Sequence, residues 1–194
     1  MTPKTIAEAA KVLARGGTVV YPTETVYGIG ASIYIPEAVE RIFEIKGRAH
    51  NLPLSVAVAS FEMIERIARI DEDDLALLRK VLPGPVTILV EKSPDLPDTV
   101  TAGSRLVGIR FPDHPMALEL IRTAGPITST SANLSGQKPP SSLDELDPKI
   151  AEKVDLVLDG GRSRFAQPST LVELATRRVM REGAGMEMVR ELLG

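Results

Sequence analysis

The chain has 194 residues, of which 43% are hydrophobic, 25% charged and 4% aromatic, proportions that suit one globular domain with a core of Val, Ile, Leu and Ala. A formal charge of −3 excludes a protein coated in positive charge, while leaving room for a local basic cleft. The absence of Cys excludes disulfides, thiolate nucleophiles and Cys-ligated metals, and with only His50 and His114 a three-His metal site cannot be built.

In chain order, Thr5 to Ala14 reads as an amphipathic helix with Ile6, Ala9, Ala10 and Leu13 on one face, capped by Thr5 and Glu8 and stopped by Gly16-Gly17. Thr18–Tyr21 follows as a buried strand. The run Tyr21-Pro22-Thr23-Glu24-Thr25-Val26-Tyr27-Gly28-Ile29-Gly30 then crowds hydroxyls and a carboxylate where a plain turn needs only Pro or Gly. Such density at a strand end is where α/β proteins place binding sites. Helical spacing marks 36–45, 61–68, 73–82, 115–123 and 187–193. Strands are expected at 54–59, 86–91, 106–110, 126–130, 155–158, 170–174 and 178–181. Strands outnumber the helices between them and several connections are too short for crossovers. The expected fold is therefore a single α/β domain with a twisted mixed, partly antiparallel sheet and flanking helices. Met1-Thr2-Pro3-Lys4 shows no basic-then-apolar signal pattern and no apolar run approaches a membrane span, so a soluble, cytoplasmic protein with no membrane partner is expected.

Several residue groups offer chemistry. In Lys46-Gly47-Arg48 the glycine is a natural helix stop. In extended chain residues two apart face the same way, so Lys46 and Arg48 would address one anion together. The tripeptide alone reads more readily as a helix C-terminus whose cations favour the dipole. Ser131-Ala132-Asn133-Leu134-Ser135 continues the hydroxyl run of Thr128-Ser129-Thr130, either ringing a polyoxygen ligand or capping a strand. Arg105, Arg110 and Arg181 lie in or beside strands, where an Arg is more often a snorkelling or paired surface residue. Pro83-Gly84-Pro85 and Asp159-Gly160-Gly161 read as turns, and Asp113-His114-Pro115 as a helix start. His50 is the more plausible ligand contact of the two histidines. No P-loop, G-x-S-x-G elbow or complete dinucleotide fingerprint occurs, so a site would work by hydroxyls and cations without a nucleophile.

From about Ile6 to about Gly183 these segments, in order, resemble the YrdC/TsaC family of threonylcarbamoyl-AMP synthases. Tyr21–Gly28 is similar to the family's most distinctive stretch. Lys46-Gly47-Arg48 is similar to its K-x-R, Pro83-Gly84-Pro85-Val86-Thr87 to its P-G-P-x-T, and Ser131-Ala132-Asn133 to its S-x-N. Ala49 departs from the Pro that many members carry, and a chain ending at Gly194 resembles the short form. The resemblance implies condensation of L-threonine, bicarbonate and ATP into threonylcarbamoyl-AMP with release of pyrophosphate. The product would serve tRNA threonylcarbamoyladenosine formation through separate transfer proteins, with weak tRNA contact at most. It further implies Lys46 and Arg48 as catalytic cations and Mg²⁺ arriving with ATP, without protein ligands of its own. Thr23, Arg105, Ser129 and Ser169 would contact threonine, with Arg105 on its carboxylate. Lys46, His50, Thr101, Ser131, Asn133 and Arg181 would surround the nucleotide, and Ser129 could belong to either substrate. Gly136–Ser142 is a candidate lid on its Pro/Ser content. One rival is a structured-RNA-binding module, which 23 basic against 26 acidic residues does little to support. A carbamoyl-transfer domain of hydrogenase maturation is the other, although that activity belongs to longer, zinc-finger-bearing chains.

Overall fold

The computed structural model describes residues 4–193 and begins with a helix whose cap is spelled out in the sequence. Helix α1 (Ile6–Ala14) starts at Thr5, whose hydroxyl accepts from the Glu8 amide while the Glu8 carboxylate accepts from the Thr5 amide. Strand β1 (Val19–Tyr21) leads into the polar run, but that run is not a turn beyond a strand. Gly28–Gly30 forms a strand of its own, β2, antiparallel to β1 with Tyr21 opposite Gly28. Residues 22–27 are thus the tip of a hairpin. Gly28 is required there because a Cβ would lie 2.9 Å from Cζ of the Tyr21 ring.

The remaining elements are α2 (Pro36–Lys46), β3 (Ser55–Ala57), α3 (Phe61–Ile67), β4 (Ala68–Arg69), α4 (Glu72–Val81), β5 (Val86–Lys92), α5 (Asp98–Thr101), β6 (Leu106–Arg110), α6 (Pro115–Ala124) and β7 (Ile127–Ser131). They are followed by α7 (Pro148–Ala151), β8 (Leu156–Val157), β9 (Thr170–Glu173), β10 (Arg178–Arg181) and α8 (Met186–Leu193). Most agree with the spacing to within a residue or two. β2, β4, α5 and α7 were not anticipated, because elements of two to four residues are too short to show a period.

The strands form one sheet in the order β10-β9-β5-β6-β3-β7-β2-β1-β8, with β4 beside β5. Three pairs, β1·β8, β3·β6 and β5·β9, are parallel and the others antiparallel, so the sheet is mixed as expected. Strand alternation then decides what each face carries. Val86, Ile88 and Val90 of β5, Val107 and Ile109 of β6 and Val56 of β3 enter the larger core, with Val39, Ile42 and Phe43 of α2 and Leu78 of α4. A smaller core joins Ala9 and Leu13 of α1 to Leu120 and Ile121 of α6 over Val19, Tyr21, Ala57 and Ile127. The intervening Thr87 and Leu89 on β5 and Leu106, Gly108 and Arg110 on β6 are left to line a cleft. Among the described residues no helix is long and apolar enough to cross a membrane.

Candidate active site: a cleft lined by arginines and hydroxyls

The cleft has a volume of about 460 Å³ and its floor is the sheet itself: β5, β6, Ser55 of β3, and Ser129, Thr130 and Ser131 of β7. The hairpin tip forms one wall, and Asn133, Gln137 and Pro139 with Arg48 and Pro53 form another. Pro168, Ser169 and Leu171 at the start of β9, with Arg181 of β10, close a third side. Three arginines line it, Arg48, Arg110 and Arg181, together with many hydroxyl side chains, and no Asp or Glu does. That composition suits an anionic ligand and offers a metal ion no carboxylate.

At the hairpin tip the Thr23 hydroxyl is the centre of a local hydrogen-bond network. The Thr23 hydroxyl donates to the Val26 carbonyl at 2.6 Å and accepts from the amides of Thr25 (3.2 Å) and Val26 (3.3 Å). With its proton committed, the 2.8 Å contact between Thr23 and Thr25 is donated by the Thr25 hydroxyl. Thr25 Oγ1 in turn accepts from Arg110 Nη2 at 3.4 Å. The same nitrogen donates to Glu24 Oε1, and Arg110 Nη1 donates to the Gly84 carbonyl. Arg110 and Glu24 are a buried ion pair, 4% and 3% exposed, in which the arginine lines the cleft and the carboxylate does not. Backbone straps hold the tip: Phe165 N donates to Glu24 O, Gln167 N to Thr25 O, Tyr27 N to Pro140 O, and Tyr27 Oη to Gly161 O.

The opposite wall hangs on Lys46. Its ammonium nitrogen is buried behind the cleft, where it donates to the Asn133 carbonyl at 2.8 Å and to the Ser131 carbonyl. Its own carbonyl accepts from Ser135 N. Burial, with help from the charge of Arg48, pushes the Lys46 pKa down to about 7. Gly47 turns the chain in the left-handed region, φ 58°, and Arg48 emerges to line the cleft while donating to the carbonyls of Leu52 (3.3 Å) and Pro53 (3.0 Å). On the third side Arg181 Nη2 donates to the Ser169 carbonyl at 2.9 Å, and the hydroxyls of Ser169 and Thr87 are 2.7 Å apart. Among the described residues neither Arg48 nor Arg181 is within ion-pair distance of a carboxylate, so both carry uncompensated charge beside the cleft.

Of the residues singled out in the sequence, Thr23, Arg48, Ser129, Ser131, Asn133, Ser169 and Arg181 come together in the lining. Lys46 is not in that lining; it sits behind the wall that Ser131 and Asn133 form, because helix α2 runs through position 46 before the chain turns. Arg105 is exposed and outside this lining; it immediately precedes β6, with the opposite parity to Leu106, Gly108 and Arg110. His50 is exposed as well, its Nδ1 2.8 Å from Glu40 and its ring stacked on Phe43 at 5.0 Å. Thr101, the last residue of α5, is fully buried and does not line the cleft. The Gly136–Ser142 stretch is clasped at Pro140 and Ser141 by backbone bonds from Tyr27 and Ser163. Arg110, read as a surface residue, is the buried cation of the floor. Thr87 and Arg110 were missed, and the period-two pattern of their strands was the signal that could have found them.

Fold and cleft together define an α/β domain whose cleft, lined by three arginines and many hydroxyls, is suited to an anionic ligand. The family model for Sua5/YciO/YrdC, described as telomere recombination, matches residues 11–183, and the chain belongs to that family. A putative threonylcarbamoyl-AMP synthase of Methanocaldococcus jannaschii is 36% identical over 182 residues, covering 94% of this chain and 86% of that protein. The threonylcarbamoyl-AMP synthase of Pyrococcus abyssi is 40% identical over 168 residues, and the match spans 86% of this chain but only 49% of that protein. The structure of P. abyssi Sua5 complexed with L-threonine superposes with a TM-score of 0.89 at 38% identity, covering 97% of this chain and 57% of that one.

Proposed function

We propose that this chain condenses L-threonine, bicarbonate and ATP into threonylcarbamoyl-AMP, releasing water as the carbamate forms and pyrophosphate as it is adenylated, and that the product feeds tRNA threonylcarbamoyladenosine formation in the cytoplasm through separate transfer proteins. The observation that carries the reading is the cleft lined by Arg48, Arg110 and Arg181 with hydroxyls and no carboxylate. Its likeness to the threonine-bound P. abyssi protein supports the choice of amino acid. In the reacting step a carbamate oxygen of N-carboxythreonine attacks the α-phosphorus, the bond to the bridging β-phosphate oxygen breaks, and pyrophosphate departs. Such a step needs neutralised phosphate charge and aligned reactants more than a nucleophilic side chain.

Arg48 and Arg181, uncompensated by carboxylates, supply that charge. Arg110, fixed by Glu24 and Gly84, takes the place first given to Arg105 as partner of the amino-acid carboxylate. Thr23 shapes the threonine wall through its closed hydroxyl network, whereas Lys46 holds the Ser131–Asn133 wall. The lining does not fit a resident Mg²⁺, for it has no carboxylate; the ion enters as part of the MgATP substrate. Incubation with ATP, threonine and ¹⁴C-bicarbonate is expected to give a threonine-dependent labelled adenylate and stoichiometric pyrophosphate. Well-folded protein that yields neither would falsify the reading.

A further inference from the structure

Gln137 and Pro139 line the cleft from the stretch Gly136–Ser142, which belongs to no helix or strand. Pro139-Pro140 leaves two successive positions without an amide hydrogen, and each proline fixes its own φ and holds the residue before it in extended backbone. The pair is a stiff rod that advances about 3 Å per residue, so whatever seats Ser141 also seats Pro139, about 6 Å away. Ser141, 3% exposed, supplies the first amide donor after the prolines. Its amide and its hydroxyl both donate to a single oxygen, Glu145 Oε2, each at 2.8 Å. Its carbonyl accepts from Ser163 N at 2.7 Å, and the Pro140 carbonyl accepts from Tyr27 N at 2.9 Å. Glu145 ends the single turn Leu143–Glu145 and is outside the cleft lining; its other oxygen, Oε1, is 3.3 Å from Arg162 Nη1. The bonds from Ser141 hold the Glu145 carboxyl below the usual carboxylate range, with the charges of Arg162 and Lys138 acting in the same direction.

We propose that Glu145 is a positioning residue for nucleotide binding: by taking both donors of Ser141 it sets the Pro139-Pro140 rod, and with it one edge of the cleft, without touching substrate. The proposal rests on the functional reading above, in which Arg48 on the same wall meets phosphate. Ser163 and Tyr27 do not replace this anchor, because their bonds run to carbonyls. Without Glu145 the Ser141 amide would be left inside the fold with no acceptor, and the chain would relieve that cost by carrying the rod outward to water. The hairpin tip has fastenings of its own, Phe165 N to Glu24 O and Gln167 N to Thr25 O. Displacement of the rod is therefore felt on the nucleotide side and little on the amino-acid side. Because both donors of Ser141 end on one oxygen, the anchor needs an acceptor at that place rather than a charge, and an amide oxygen would serve.

Isothermal titration of the full chain with ATP and, separately, with L-threonine tests the assignment in Glu145→Ala and Glu145→Gln. Glu145→Ala is expected to bind ATP about tenfold more weakly while its threonine affinity stays within about twofold of the unsubstituted protein. Glu145→Gln is expected to stay within about twofold for both ligands. Hydrogen exchange of a peptide spanning 136–142 should speed up in Glu145→Ala and not in Glu145→Gln. Unchanged ATP affinity in Glu145→Ala, an equal loss for both ligands, or a Glu145→Gln variant as impaired as Glu145→Ala overturns the proposal. Should Glu145→Ala not fold, Ser141→Ala removes one of the two bonds and is expected to weaken ATP about threefold with threonine unchanged; no change for ATP there overturns the proposal as well. Unsubstituted protein that binds neither ATP nor threonine sinks the functional reading and the proposal with it, a failure visible before any variant is compared.

Discussion

The two walls of the cleft use hydrogen bonds in opposite ways. At the hairpin tip the hydroxyls of Thr23 and Thr25 and both terminal nitrogens of Arg110 donate to acceptors of the protein, with Val26 O as terminus and Glu24 as counter-ion. At the Lys46 wall Lys46 and the Asn133 amide donate to main-chain carbonyls, and one buried acceptor, Asn133 Oδ1, has no partner. One wall is cross-linked chiefly from side chain to side chain. The other hangs on main-chain carbonyls, so the two parts of one site are held by different means.

The largest test of that contrast is Glu24→Ala. It strands the buried Arg110 without its counter-ion and is expected to cost about 3–5 kcal/mol, read as a lower denaturant midpoint with unchanged slope. Glu24→Gln keeps an acceptor and should lose less; equal losses would show that charge is not what the pair supplies. Next comes Arg48→Ala, which removes an uncompensated rim cation held by two carbonyls. Pyrophosphate and ATP affinity should fall about ten- to a hundredfold by calorimetry, while stability changes by no more than about 0.5 kcal/mol. Thr23→Val leaves buried amides of the tip without their acceptor and should cost about 1–3 kcal/mol, with Thr23→Ser restoring most of it, as thermal unfolding would record. A threonine KM unchanged in both variants would break the link between the closed network and the amino-acid wall.

The last test reads a slope rather than a single loss. With Lys46 held at about 7 in the fold and at 10.5 otherwise, the unfolded chain carries the extra proton between those values. Stability therefore rises with pH across that window, and Lys46→Met should flatten the rise in urea titrations. Neutral Lys46 still has two hydrogens for its two carbonyls, so the wall survives deprotonation. An arriving anion favours the charged form, and ATP binding near pH 7.5 should take up a fraction of a proton, visible as a buffer-dependent heat. A steeper rise in Lys46→Met would contradict the assignment.

Local chemistry was legible in the sequence and pairing across distance was not. The Thr5–Glu8 capping box and the Gly47 stop are written within a few residues, and both are found. The i, i+2 argument for Lys46 and Arg48 failed because it needed the helix to end before Lys46 rather than after it. Arg110 looked like a surface residue because its partner Glu24 lies on another hairpin, and no period in β6 announces that contact. Parity carried back from β6 to the residue before it did contain the difference between Arg105 and Arg110, since alternate residues Leu106, Gly108 and Arg110 share the cleft. The orphaned Oδ1 of Asn133 depends on where Leu134 and Gln137 send their carbonyls, a matter of loop geometry that residue types do not encode.

Gly47 gives helix α2 the character of a shaft with a fixed bit at its end. Each residue inserted upstream would turn whatever follows by about 100° and advance it about 1.5 Å. Substitutions on the exposed side of Pro36–Lys46 would leave Arg48 facing the cleft, but a single insertion or deletion there would swing it away and withdraw Lys46 from its carbonyls. This stretch of chain should therefore tolerate changes of spelling and reject changes of length.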